Sequence, residues 1–172
     1  IEAVKDFQSV PGRFELIDEG QSFAVVVDYA HTPDGLEKIL GTAREITEGK
    51  IIAVFGCGGD RDRMKRPIMG SIAAEHADIS IVTSDNPRTE DPEKIIEDVV
   101  VGVEKVKKNK PDLYYEVIAD RRQAIKRAVS LAKDDDIVII AGKGHEDYQI
   151  LKDRTIHFDD REEARNALKE VK

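Results

Sequence analysis

The chain contains 172 residues, with 27 Lys and Arg against 35 Asp and Glu, so its formal net charge at pH 7 is −8. An acidic chain without a basic block argues against nucleic acid as a partner, because that surface requires clustered Lys and Arg. No apolar run reaches the roughly 20 residues of a membrane-spanning helix, so we expect no membrane partner. The single cysteine, Cys57, indicates a reducing compartment, and we expect a cytoplasmic protein.

Apolar, β-branched runs alternate with segments whose apolar residues recur every three or four positions, which is typical of strand–helix units on a parallel sheet. Five strands are predicted, at residues 23–27, 51–55, 79–83, 114–118 and 136–141. Each of the four intervening helices is expected to bury one apolar stripe. The four stripes are Leu36, Ile39, Leu40, Ala43 and Ile46; Ile68, Met69, Ile72 and Ala73; Ile95, Ile96, Val99, Val103 and Val106; and Ala124, Ile125, Ala128, Val129 and Ala132.

Proline and small polar residues mark the helix starts. Pro33, Pro67 and Pro92 fall where a first-turn proline loses no hydrogen bond, and Thr32 and Asp91 precede two of them as predicted N-caps.

Two hairpins flank this alternating region. Residues 14–17 and 23–27 are predicted to pair across a turn, as are residues 148–151 and 155–158, and Asp160 with Glu163 is expected to open a last helix as a capping box. The sequence therefore predicts an α/β fold with a Rossmann-like, mostly parallel sheet of about six strands, helices on both faces and a small hairpin. Residues 1–12 are interpreted as a linker from a preceding domain and residues 13–172 as one domain.

Unusual residues follow every predicted strand of the parallel sheet. The segments are 28–34, 56–67, 84–92, 119–122 and 142–149, and they are rich in Gly, Arg, Asp and Glu. Because ligands bind outside the carboxyl ends of such strands, these segments indicate one cleft. Charge of both signs in its rim indicates a dipolar ligand.

Simpler interpretations compete at several positions. The segment GCGGDR lacks the GxGxxG spacing of a dinucleotide site, and GKGHED lacks a phosphate-loop frame. Arg61, Asp62 and Arg63 are equally compatible with a solvated salt-bridge cluster. Cys57 has no base partner in the sequence, and His31 has no second ligand at metal spacing, so neither a nucleophile nor a metal site is predicted.

Four motifs together are more specific. DYAHTPD, GCGGDRDRMKRPIMG, TSDNPRTEDP and AGKGHEDYQ, in this order, resemble the C-terminal domain of UDP-N-acetylmuramoyl-tripeptide synthetases, the Mur ligases that add the third residue of the peptidoglycan stem peptide. VPGRFE resembles that family's junction with its central ATPase domain. DYAHTP alone indicates only the wider superfamily, which includes folylpolyglutamate synthetases.

The resemblance implies a three-domain, ATP-dependent amide ligase that acts on UDP-MurNAc-L-Ala-D-Glu. Its C-terminal domain delivers the amino acid and closes over the nucleotide. ATP and Mg²⁺ are bound mainly by the central domain, so the resemblance implies no catalytic residue in this chain, which alone is expected to be inactive.

In this family a DNPR stretch is typical of enzymes that use meso-diaminopimelate. The resemblance implies an amino-acid pocket formed by Arg61, Asp85, Asn86, Pro87, Arg88, Gly142 and Glu146. It places the nucleotide near Arg13, Asp28, Tyr29 and His31. Three alternatives stay open, namely the same ligase with L-lysine or another amino acid, a stand-alone nucleotide-binding α/β module, and a protein-interaction domain.

Overall fold

The computed structural model describes residues 10–171. Its strands are β1 (Glu15–Leu16), β2 (Ala24–Asp28), β3 (Ile51–Phe55), β4 (Ile79–Val82), β5 (Tyr114–Val117), β6 (Ile137–Ala141), β7 (Tyr148–Ile150) and β8 (Thr155–His157). Six of them form one sheet in the order β1-β2-β6-β3-β4-β5, in which only β1 is antiparallel to its neighbour. β7 and β8 form a separate antiparallel hairpin.

Five helices cover the sheet in the part of the chain that the structure describes: α1 (Pro33–Ile46), α2 (Lys65–His76), α3 (Pro92–Lys107), α4 (Arg121–Leu131) and α5 (Asp160–Glu170). Alternate residues of the buried strands point to opposite faces, so Ile137 and Ile139 of β6 pack with α1, α2 and α3, whereas Val138 and Ile140 pack with α4 and α5. Strands covered on both faces are apolar throughout. The predicted fold class is confirmed, and strand ends differ from the predicted ones by at most one residue.

The predicted buried stripe of α2 is partly wrong. Ile68 is 50% exposed, whereas Gly70 and Ala74 are buried. The reason is the close approach of α2 to α3, since a Cβ atom added to Gly102 would lie 1.8 Å from the Pro67 carbonyl oxygen. Small residues therefore face the neighbouring helix, and the larger apolar side chain points outward.

The predicted capping box at the last helix is also wrong. The N-cap of α5 is Asp159, whose side chain accepts a hydrogen bond from the Arg161 backbone N–H. Asp160 is fully buried and pairs with Arg121 instead. The predicted N-caps Thr32 and Asp91 are confirmed.

The predicted linker lies mostly outside the described residues, which begin at residue 10. Gly12, its last residue, has φ of +73°, and a Cβ atom there would lie 2.1 Å from the backbone nitrogen of His145. This part of the chain therefore packs on the loop that follows β6. Of the helices that the structure describes, none combines the length and apolar character needed to cross a bilayer.

Candidate functional site

A cleft of about 460 Å³ opens at the carboxyl edge of the parallel sheet. The loops that follow β2, β3, β4 and β6 all contribute to its wall. Eight of the residues predicted from the sequence line it together: Tyr29, His31, Arg61, Asp85, Asn86, Arg88, Gly142 and Glu146. Three others, Arg13, Asp28 and Pro87, are not among the lining residues.

The cleft carries charge of both signs. The basic lining side chains are Arg61, Lys65 and Arg88, and the acidic ones are Asp62, Asp85 and Glu146. A wall of this kind can bind a carboxylate through guanidinium groups and an ammonium group through carboxylates. The geometry therefore fits the dipolar ligand that the sequence indicates.

A buried lysine lies beneath the cleft. Lys143 has no exposed surface, and its Nζ donates hydrogen bonds to Asn86 Oδ1 at 2.9 Å and to the Tyr148 carbonyl oxygen at 2.8 Å. Its Nζ also lies 3.2 Å from Asp85 Oδ1, an ion pair that opposes the effect of burial. Burial dominates and lowers the pKa of Lys143 below its usual value. The sequence prediction missed this residue, although a lysine between two glycines after a buried strand was the available signal.

Asn86 connects this lysine to the wall of the cleft. Its Oδ1 accepts hydrogen bonds from Lys143 Nζ and, at 3.0 Å, from the backbone N–H of Ile150. Its Nδ2 donates to Glu146 Oε2 at 3.3 Å. Two donors on one oxygen fix the orientation of the amide, so the nitrogen faces Glu146.

Arg88 adopts a strained backbone conformation. Its φ is +53°, a left-handed value that costs a non-glycine residue of order 1–3 kcal/mol and is concentrated at functional sites. Nη1 donates to the carbonyl oxygens of Gly59 at 2.9 Å and Asn86 at 3.4 Å. The Arg88 backbone N–H donates to the Ile150 carbonyl oxygen at 3.1 Å, which ties the loop to the β7–β8 hairpin.

The loops after β3 and β4 interlock at their backbones. A Cβ atom on Gly59 would lie only 1.9 Å from the Pro87 carbonyl oxygen, so this position requires glycine. Pro87 itself lines a second cavity of about 270 Å³, whose wall also includes Gln149 and Phe158. Pro87 therefore lies on the side of its loop that faces the second cavity and not the cleft.

A buried arginine supports the β3 loop. The Arg66 guanidinium donates to both carboxylate oxygens of Glu90, at 3.0 and 2.8 Å, to Asp98 Oδ2 at 2.9 Å and to the Gly58 carbonyl oxygen at 3.3 Å. These contacts hold the pKa of Glu90 at about 2. Arg63 joins Asp98 at 3.5 Å.

Arg121 fixes the neighbouring strand ends. It has no exposed surface and binds Asp160 through Nε and Nη2, at 2.8 and 2.7 Å. Its Nη2 also donates to the Ala141 carbonyl oxygen at 3.0 Å, and Nη1 donates to that of Ser84 at 3.5 Å. One side chain therefore joins the ends of β4 and β6 to the start of α5.

The four predicted nucleotide residues are placed differently from one another. The Tyr29 and His31 rings lie 4.5 Å apart in the cleft wall. Both carboxylate oxygens of Asp28 accept backbone hydrogen bonds at 2.8 Å, from Phe14 and Ala30, so this side chain closes the turn after β2. Arg13 is exposed and lies outside the cleft.

Cys57 shows no features of a reactive thiol, and the described residues show no metal site. Cys57 is 2% exposed, and burial raises the pKa of its thiol to about 12, so the nucleophilic thiolate is not formed near neutral pH. Across residues 10–171, no group of three or more His, Cys, Asp or Glu side chains is arranged to hold a metal ion.

The fold and the cleft define an α/β domain in which a cleft with charge of both signs lies at the carboxyl edge of the parallel sheet. The sequence profile of the family described as Mur ligase, glutamate ligase domain, matches residues 12–144. The chain belongs to this family.

Curated relatives cover the whole chain. A UDP-N-acetylmuramoyl-L-alanyl-D-glutamate–2,6-diaminopimelate ligase of Clostridium botulinum is 56% identical over 172 residues, which are 99% of this chain and 34% of the relative. A ligase with the same name from Thermosynechococcus vestitus is 58% identical over 172 residues, again 99% of this chain and 33% of the relative. The chain thus spans about a third of the length of these relatives.

Solved structures agree with this assignment. A structure of a UDP-N-acetylmuramoyl-L-alanyl-D-glutamate–2,6-diaminopimelate ligase superposes with a TM-score of 0.86 at 44% identity, covering 99% of this chain and 34% of that one. A bifunctional folylpolyglutamate synthase/dihydrofolate synthase of Yersinia pestis has a TM-score of 0.60 at 20% identity, covering 80% of this chain and 29% of that one, and shares the fold.

Proposed function

We propose that the chain is the amino-acid-binding and closure domain of an ATP-dependent ligase that adds meso-diaminopimelate to UDP-MurNAc-L-Ala-D-Glu in peptidoglycan synthesis. The observation that carries the proposal is a cleft in which arginines and carboxylates face one another. Relatives at 56% and 58% identity that bear this ligase name support the choice of substrate.

The proposed selectivity follows from the chemistry of the ligand. Diaminopimelate differs from lysine in a second carboxylate beside its distal amine. Arg88 and Arg61 are assigned to that carboxylate, and Asp85, Glu146 and the Gly142 carbonyl oxygen to the ammonium group.

Arg88 has donors to spare for this task. Within the described residues its side chain donates only through Nη1, so Nε and Nη2 remain available for a bidentate contact. Lysine would leave that arginine unpaired, and sites of this type discriminate by about 10⁴–10⁵. Pro87 restricts the loop, which lowers the entropy lost when Arg88 engages its ligand.

In the proposed reaction, ATP phosphorylates a carboxylate of the UDP-linked dipeptide, and the amine attacks the acyl phosphate to form a tetrahedral intermediate that expels inorganic phosphate. This domain contributes orientation of the amine and exclusion of water when it closes. We assign ATP and Mg²⁺ mainly to the remainder of the ligase and no residue of this chain to the metal ion. We assign Arg13, Asp28, Tyr29 and His31 to the nucleotide, and support for Tyr29 and His31 comes from their position in the cleft wall. We assign the reaction to the cytoplasm.

The test uses the full-length protein with ATP, Mg²⁺ and UDP-MurNAc-L-Ala-D-Glu, and measures phosphate release and tripeptide formation with meso-diaminopimelate, L-lysine and L-ornithine. Product with diaminopimelate alone, lost in Arg88→Ala, supports the proposal. The matched control is Arg154→Ala, because Arg154 is an exposed arginine at the turn between β7 and β8 and lies outside the cleft. The 172-residue chain alone is expected to release no phosphate from ATP.

Other outcomes identify the alternatives. Turnover with lysine keeps the ligase and refutes the assignment of the DNPR loop to diaminopimelate. If no amine supports turnover, the ligase proposal is refuted and the alternative of a nucleotide-binding α/β module is favoured. Titration of the purified chain with nucleotides is then the next measurement.

A further inference from the structure

Lys143 contacts three of the side chains assigned to the amino acid. Its Nζ lies 2.9 Å from Asn86 Oδ1, 3.2 Å from Asp85 Oδ1 and 3.8 Å from Glu146 Oε2. A fourth contact, at 2.8 Å, is the Tyr148 carbonyl oxygen. Its ammonium protons are donated to Asn86 Oδ1 and to the Tyr148 carbonyl oxygen, whereas the contact with Asp85 is an ion pair. Lys143 is fully buried, so it makes no direct contact with a ligand.

The first of these effects is geometric. Lys143 and the Ile150 N–H together fix the Asn86 amide, and the amide nitrogen then holds Glu146 Oε2 at 3.3 Å. Asp85 comes from the β4 end, whereas Glu146 comes from the loop after β6. Lys143 thereby sets the spacing of two carboxylates that belong to different loops.

The second effect is electrostatic. The charged side chains in the cleft wall balance at three basic and three acidic groups, and Lys143 adds one positive charge beneath them. Two carboxylates without this cation would attract a terminal ammonium group strongly. With the cation, a lone ammonium group is disfavoured relative to a distal centre that also carries a carboxylate.

We propose that Lys143 is a positioning residue that determines specificity, because it holds Asp85, Asn86 and Glu146 in place and biases the site toward an amino acid whose distal end is zwitterionic. This inference rests on the proposed function. It assigns to Lys143 no contact with the substrate.

The experiment compares Lys143→Met with the wild-type full-length protein in steady-state assays against meso-diaminopimelate and L-lysine. We expect kcat/KM for diaminopimelate to fall by about 30-fold or more, chiefly through KM, because a buried charge pair loses one partner. The KM for ATP is expected to stay unchanged. The ratio of kcat/KM for diaminopimelate to that for lysine should fall by at least about tenfold, as the bias against a lone ammonium group is removed.

Two further variants make the result decisive. Lys152→Met is the matched control, since Lys152 is exposed at the turn between β7 and β8, and it should leave both ratios unchanged. Lys143→Gln removes the charge and keeps a hydrogen-bond donor, so it should lose selectivity while circular dichroism shows that the fold is retained, although Tm falls because Asp85 loses its cation.

The outcomes separate this inference from the proposed function. Wild-type turnover with diaminopimelate together with unchanged selectivity in Lys143→Gln overturns the inference alone. Failure of both Lys143 variants to fold also overturns it, because Lys143 would then be purely structural. Absence of turnover in the wild type overturns the proposed function and this inference with it.

Discussion

Replacing Arg121 by Met is expected to destabilise the 172-residue chain by about 3–5 kcal/mol, because it leaves a buried carboxylate without its cation. Arg121 and Asp160 both have 0% side-chain exposure and are joined by hydrogen bonds of 2.8 and 2.7 Å. The Ala141 carbonyl oxygen also loses its 3.0 Å hydrogen bond, although the uncompensated charge dominates. For a chain of this size, the loss corresponds to a decrease in Tm of about 6–20 °C.

The assay is urea unfolding followed by far-ultraviolet circular dichroism, with Tm measured in parallel. The control is Lys94→Met, which breaks a pair with Glu97 in which both side chains are 63% exposed and which should cost no more than about 0.5 kcal/mol. The double variant Arg121→Met/Asp160→Leu should recover most of the lost stability, since neither partner is left charged. A loss below about 1 kcal/mol in Arg121→Met, or a double variant no more stable than the single one, would refute this reasoning.

Three further predictions concern other parts of the fold. Arg66 holds the pKa of Glu90 at about 2, below its usual 4.5, so the stability that Glu90 contributes is present above pH 4.5 and is lost as the pH falls toward 2. The urea midpoint should therefore change less with pH across this range in Glu90→Gln than in the wild type. An equal change of the midpoint in both proteins would contradict the role given to the Arg66–Glu90 pair. Cys57, with its pKa of about 12 and 2% exposure, should react with iodoacetamide at least about 100-fold more slowly in the folded chain than in urea, and equal rates would show that the thiol is accessible. Asp135 has φ of +67°, a conformation that glycine adopts freely and a β-branched residue does not. Asp135→Gly should therefore raise the free energy of unfolding by about 0.5 kcal/mol, and Asp135→Val should lower it by about 1 kcal/mol. A valine variant more stable than the glycine variant would rule out backbone strain at this turn.

Much of the fold could be predicted because its signals are local. Strands that are buried on both faces appear in the sequence as continuous apolar runs. In a parallel sheet, the loops that follow the strands lie together at the carboxyl edge, where ligands bind. Local signals failed at α2, where the close approach of a neighbouring helix decides that Gly70 faces inward and Ile68 faces solvent. They failed again at the adjacent aspartates of α5, because only the buried arginine 39 positions earlier distinguishes Asp160 from the capping Asp159.

The supporting framework of the cleft could not be predicted for the same reason. Lys143 is 57 positions from Asn86, and Arg66 is 24 positions from Glu90. In the sequence, each of these basic residues looks like an ordinary charged residue of a loop. Burial of a cation depends on acceptors that several separate segments supply, and no periodicity records that arrangement.

The basic residues around the cleft are of two kinds, buried and exposed, and this difference explains how the cleft combines charge with rigidity. Arg66, Arg121 and Lys143 are fully buried, and each one fixes a loop or strand end by several hydrogen bonds. Arg61 is exposed and Arg88 partly so, and these two face the cleft. A buried cation cannot leave its acceptors without the cost of an unpaired charge, so the loops are held in place before a ligand arrives. Under the proposed function, a ligand therefore needs to move only the exposed side chains of Arg61 and Arg88.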